Sequence, residues 1–132
     1  MQNNRLEKLL PIAYEALKGN ETITKEGNKI EKAFRGQISS FGAAILTGGL
    51  KSAVAFYSVQ GNAKTARQAL LEVILQILNK GKLLQEGDEN DAYTVDNMKR
   101  LVFHSKDPEL QEKILDASVA IKLAMNFFTL IQ

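Results

Sequence analysis

An all-α fold, a single compact bundle of five to six helices, is what this sequence predicts, and three observations carry the expectation. Apolar residues recur at three- and four-residue steps through most of the chain, breaks containing glycine and asparagine separate those stretches, and no segment alternates as a half-buried strand would. With 132 residues the chain fits one domain, 1–132, able to bury roughly two-thirds of the surface its unfolded form exposes. Short connections make antiparallel neighbours the expected arrangement.

Leu6, Leu9, Leu10, Ala13, Ala16 and Leu17 define a first helix, with Asn3 or Asn4 as its cap, a bend near Pro11 and Gly19 as its stop. The stretch "GNETITKEGN" reads as a loop ended by Asn28, with Glu31 three residues on as in a capping box. A second helix is expected from about Lys29, with Ile30, Phe34, Ile38, Phe41 and Ile45 as its buried stripe and Gly48 and Gly49 as its break. A short helix from Leu50 to Val59 follows, with Phe56 expected in the core, and Gly61 and Asn62 end it. Ala66, Leu70, Val73, Ile74, Ile77 and Leu78 mark the next helix, closed by Asn79 and Gly81. Residues 82 to 92 read as loop. Thr94 caps a helix carrying Val95, Met98, Leu101 and Val102, and Asp107 with Pro108 starts a long last helix with Leu110, Ile114, Leu115, Ile121, Met125 and Phe128 on its core face.

Composition narrows the function classes. Hydrophobic residues at 45% and charged residues at 24% describe an ordinary globular protein rather than a disordered one. Cysteine is absent, which excludes disulfides, thiolate metal sites and a cysteine nucleophile. No signal-peptide core opens the sequence and no apolar run approaches the roughly 20 residues that span a bilayer, so a cytoplasmic location is the expectation.

Motifs for chemistry are missing or broken. "LTGGLKSAVAFYS" looks like a phosphate loop, but Leu50 separates Gly49 from Lys51, and the upstream segment has helical spacing where a strand is required. A glycine break between two helices is the better reading. The lone His104 sits near a helix end with no nucleophile motif beside it. Asp88 and Asn90 start a calcium-loop pattern that lacks its glycine and closing glutamate, so a solvated loop accounts for it. No metal or other cofactor is expected.

Charge is the more informative signal. The net charge is +2, yet residues 1–82 carry +6 and residues 83–132 carry −4. Such asymmetry marks a surface for a polyanion or an acidic partner, or simply a solvated face. Lys29, Lys32 and Arg35 follow one another at three-residue steps on the expected second helix, opposite Phe34 and Phe41, with Ser39 on the same side and Lys25 just ahead. Lys64 and Arg67 stand at the start of a later helix, where the macrodipole prefers acids. Lys51 adds charge beside this stripe. Aromatic interleaving is sparse: Phe56 is expected in the core, and Tyr57 exposed or at a subunit contact. Such a surface would grip an RNA backbone or shape, with little sequence readout.

The segment "FRGQISSFGAAILTGGLKSAVAFYS", Phe34 to Ser58, resembles the small subunit of type III-B CRISPR effector complexes, the Cmr system. The resemblance rests on Phe34, Arg35, Gly36, then Ser40, Phe41, Gly42, Ala43, then Gly49 and Leu50, and finally Ala55, Phe56 and Tyr57. "ILDASVAIKLAMNFF", Ile114 to Phe128, is similar to the family's last helix, rich in Ala and Leu. The resemblance implies a non-catalytic structural subunit for antiviral defence. Its partners would be other Cmr subunits, chiefly the backbone subunit holding the guide RNA, together with copies of itself and the guide and target RNA. The RNA-contacting residues expected here are Lys25, Lys29, Lys32, Arg35, Lys51, Lys64 and Arg67. A helical protein-interaction adaptor, a helix-turn-helix DNA binder centred on Gly48 and Gly49, and a small enzyme are the rival readings. The second is disfavoured because "LKSAVAFYSV" has one charge and few groups able to read base edges.

Overall fold

The computed structural model describes residues 3–59, 64–89 and 92–132. Six helices follow in order: α1 (Asn3–Lys18), α2 (Ala33–Gly48), α3 (Leu50–Tyr57), α4 (Ala66–Lys80), α5 (Val95–His104) and α6 (Leu110–Ala124). A small sheet joins them, made of β1 (Thr24–Lys25), β2 (Lys29–Glu31) and β3 (Thr129–Ile131). The all-α bundle expected from the sequence is therefore present, with that sheet as an addition.

The organising element is α4. Ala69, Leu70, Leu71, Val73, Ile74, Leu75, Ile77 and Leu78 are all buried, so this helix is apolar nearly all round and must be enclosed. It packs against α1, α2, α3, α5 and α6. Its start is fixed by a capping box: the Thr65 hydroxyl accepts from the Gln68 amide, and the Thr65 amide donates to the Gln68 side chain at 3.0 Å. At its other end Gly81 has an ordinary right-handed backbone, and the left-handed residue is Lys82, at φ 58°. Gly81 is needed for space, because a Cβ there would meet Leu9 Cδ2 at 2.7 Å and the Ile77 carbonyl at 2.8 Å.

The second helix begins at Ala33, four residues later than expected at Lys29, because residues 29–31 form a strand. Ile30 is fully buried between exposed Lys29 and Glu31, and β2 pairs antiparallel with β1 and parallel with β3. Asn28 is therefore no helix cap: its carbonyl accepts from the Thr129 amide at 2.7 Å. Within the preceding stretch Asn20 Oδ1 accepts from the Thr22 and Ile23 amides, and the Thr24 hydroxyl donates to the Leu17 carbonyl at the end of α1. Gly27, at φ 74°, turns the hairpin.

Gly49 ends α2 and opens α3 at φ 98° and ψ 157°, a conformation open to glycine alone. On α3 the buried residues are Ala53, Val54 and Tyr57, with Leu50 half-buried against the core, while Ala55 and Phe56 are exposed. At 100° per residue Ala53, Tyr57 and Val54 fall at about 0°, 40° and 100°, which leaves Phe56 at about −60°, off the core stripe. Tyr57 goes inward because its ring packs on Phe41, centroids 4.9 Å apart, and its hydroxyl donates to the Gln37 carbonyl at 2.9 Å. The helix stops at Tyr57, short of Val59, and the expected stop at Gly61 and Asn62 lies outside the described residues. So do the side chains of Asn3 and Asn4 and the Asn90 of the calcium-like loop.

Thr94 caps α5 by accepting from the Asn97 amide at 3.1 Å, as expected. The last helix starts at Leu110, two residues after Pro108, with Asp107 Oδ1 accepting from the Glu109 amide. Asp107 also takes the Lys113 ammonium at 2.6 Å, and that ammonium donates to the Leu83 carbonyl, pinning the 82–89 loop to α6. Beyond Ala124 the chain tightens into a 3-10 turn, Met125–Phe127, and then enters β3.

Two predictions follow from this packing. Phe41 is fully buried, so Phe41→Ala is expected to lower unfolding free energy by about 3–5 kcal/mol in urea titration. Burial pushes the Asp107 carboxyl up, but the Lys113 ammonium, the Glu109 amide and the charge of Arg5 outweigh it and hold it below the usual carboxylate range. Its stabilising contribution is thus complete above the unfolded value of about 3.9 and lost as pH falls through the lower folded value. Asp107→Asn should flatten that acid limb of the stability profile while lowering stability at pH 7.

Candidate nucleic-acid interface

The seven basic residues marked in the sequence do not form one helix stripe. Lys29 lies on β2 and Lys32 in the turn ahead of α2, so only Arg35 of the three is helical. Lys32 serves as the pivot between sheet and helix, its amide donating to the Ile131 carbonyl at 2.7 Å and its carbonyl accepting from the Arg35 amide. The change follows from backbone pairing with β3, about a hundred residues away in sequence, which outweighs the helical spacing read locally.

Sheet geometry creates a different grouping. Lys25 and Lys29 are direct cross-strand partners, both exposed, on the face opposite buried Thr24 and Ile30. Like charges directly opposite are destabilising, so this pairing costs the hairpin energy. Lys25 donates to the Thr22 carbonyl at 3.0 Å and, with Lys64, lines a cleft of about 210 Å³ between the hairpin, α2 and the start of α4. Glu31 and Gln37 share that cleft, and Gln37 Oε1 is buried there without a hydrogen-bond partner. Lys64 is held by Glu72 at 2.7 Å. Its side chain stays half exposed, so the pair still offers a charge to solvent.

Arg67, in the first turn of α4, stacks its guanidinium over Phe56 at 5.3 Å and over Tyr57 at 5.7 Å. Phe56 is 59% exposed and Tyr57 4%, the reverse of the expectation for both. Burial pushes the Tyr57 hydroxyl above its ordinary pKa, and the charge of Arg67 and a hydrogen bond with Ser40 only partly oppose it. Arg35 donates to Asn126 Oδ1 at 2.8 Å, and Ser39, one turn on, accepts from Lys122 at 2.9 Å. Lys122 thereby joins Arg35 on one side of α2, a residue that sequence reasoning missed although Ser39 had been placed there. Lys51 lies over the Phe103 ring at 5.5 Å, and His104 is exposed at the end of α5.

The family model for CRISPR-associated protein (Cas_Cmr5) matches residues 11–122, from the middle of α1 to near the end of α6, including all seven basic residues. The chain belongs to the Cas_Cmr5 family. No curated protein and no solved structure matches it. Membership makes it a CRISPR-associated small subunit of the Cmr, type III-B, system, associated with other Cmr subunits. Among the described residues no helix is long and apolar enough to cross a membrane, and no three His, Asp or Glu side chains cluster as metal ligands would.

The inversion of Phe56 and Tyr57 can be checked by stability. Tyr57→Phe, which removes the hydrogen bond to the Gln37 carbonyl, is expected to cost about 1 kcal/mol in chemical denaturation, and Phe56→Ala to stay within about 0.5 kcal/mol of wild type.

Proposed function

We propose that this Cas_Cmr5 protein is a non-catalytic structural subunit that stacks along the guide-holding backbone subunit and lines the channel in which target RNA pairs with the guide. The observation that carries the reading is the convergence of Lys25 and Lys64 on one cleft, with Lys29 beside Lys25 on the sheet face. Two lysines opposed across a hairpin are unfavourable within the free subunit and become favourable when a phosphate backbone neutralises them. The cleft presents ammonium groups to a phosphate backbone, the contact that binds RNA without sequence readout. Lys32, Arg35 and Arg67 add positive charge in the turn before α2, on α2 and at the start of α4, while Lys51 on α3 lines a separate cleft. The continuous core shared by all the helices supports one domain.

Assembly is supported by apolar side chains left outside. Val119 and Leu123, one turn apart on α6, and Leu46 on α2 remain exposed, and α2 and α6 pack together. A subunit or self contact there would remove apolar area from water at about 25 cal/mol per Å².

Binding of single-stranded RNA by the isolated chain should weaken with salt, at a slope of log affinity on log salt of about −3 for four phosphate contacts. Reversing Lys25, Lys29 and Lys64 to Glu should lower affinity and bring the slope toward about −1. In a reconstituted complex with the backbone subunit and guide RNA, the same variant should assemble and lose target retention. Assembly with undiminished retention would leave a protein-only adaptor.

A further inference from the structure

The cleft between α3 and α5, about 350 Å³, lies apart from the sheet-side lysines and holds a different chemistry. Its apolar wall is Val54, Ala55, Val102 and Phe103, and its rim carries Lys51, Lys99 and Arg100 with the His104 ring, with no carboxylate among the described lining residues. Phe103 is 68% exposed although α5 already buries Val95, Met98, Leu101 and Val102 against the core. Phe103 falls about 140° from Met98 on the helix, off that stripe, so its ring lies open to solvent and free to take a ligand. The Lys51 ammonium lies over its ring at 5.5 Å, and the His104 ring meets it edge-on at 6.1 Å. Arg100 donates to the neutral Asn97 amide oxygen at 3.0 Å and makes no ion pair among the described residues, though Asp88 lines a neighbouring cleft with it, and Lys99 meets the exposed Asp96 carboxylate at 3.6 Å. This cationic rim stands out further because residues 83–132 carry a net −4.

We propose that this cleft is a stacking site for an unpaired nucleotide of single-stranded RNA, with the base against Phe103 and the flanking phosphates on Lys51, Lys99 and Arg100. The proposal deepens the RNA-contacting reading above and rests on it. A π-face ringed by cations holds any base without reading its edge, which suits a subunit that carries no sequence code. A peptide is the poorer occupant. Both walls are helices whose backbone groups are satisfied internally, so an extended acidic segment finds no strand edge to pair with.

The test uses the full chain and a single-stranded RNA with one 2-aminopurine, alongside the same RNA made abasic at that position. Wild type should quench the fluorophore and bind the intact RNA more tightly than the abasic one. Phe103→Ala, whose fold circular dichroism verifies, should weaken the intact RNA by about 5- to 100-fold and the abasic RNA hardly at all, and Phe103→Trp should restore quenching. Equal binding by wild type and Phe103→Ala, or indifference to loss of the base, overturns the stacking site while the phosphate-binding surface stands. Loss of RNA binding altogether, in the isolated chain and the assembled complex alike, overturns both. A phenylalanine-containing oligoglutamate that binds in a Phe103-dependent way where RNA does not would make the cleft a protein-docking site instead.

Discussion

Enclosure of α4 is the constraint on which the rest of the molecule depends. A helix with Leu70, Leu71, Ile74, Leu75, Ile77 and Leu78 all shut from solvent cannot sit on a surface, so five other helices are drawn around it. The capping box at Thr65 matters more in that position than on an exposed helix, since unsatisfied amides near the interior have little water to turn to. Gly81 belongs to the same requirement. It lets α1 approach the end of α4 closely enough for Leu9 to seal the core.

Around that centre the sheet acts as a clasp between distant parts of the chain. β2 takes β1 on one side and β3 on the other, so the turn after α6 is held against the start of α2. The Lys32 amide on the Ile131 carbonyl and Arg35 on Asn126 reinforce the same seam. The hairpin also sets the positions of Lys25 and Lys29: once Thr24 and Ile30 turn inward, period two sends both lysines outward together. A fold requirement at one face thus becomes an electrostatic feature at the other.

Much of the basic charge does local structural work as well. Lys64 answers Glu72, Arg67 covers Phe56, Arg35 ties α2 to the 3-10 turn, and Lys113 with Asp107 secures the loop before α5. The exposed contacts among these contribute little to stability in water and remain open to exchange for a phosphate, whereas the Lys113–Asp107 pair is largely shielded and holds the fold. Cas_Cmr5 chains serve in a multi-subunit complex. A surface whose cations are lightly held, beside exposed Leu46, Val119 and Leu123, is suited to that setting, because partners can replace weak internal contacts with stronger ones.

The helices were legible in the sequence wherever burial repeats with the helical period: α1, α4 and α5 follow their apolar spacing, and the Thr94 cap and the Gly49 break announce themselves by residue type. Family membership was legible as well, since Phe34 to Ser58 lies within the matched span. What local pattern could not decide was anything set by a distant partner. β2 is three residues long and needs β3 to exist, and Ile30 fits a helical stripe and a strand equally well until that partner is present. Phe56 and Tyr57 are adjacent, and which of them turns inward depends on the space beside Phe41 and the carbonyl of Gln37. The candidate sites are products of the same non-local choice. The sequence supplied the lysines and the aromatics, and tertiary packing alone put Lys25 with Lys64 and Lys51 over Phe103, because side-chain neighbours across elements are set by how the helices enclose α4.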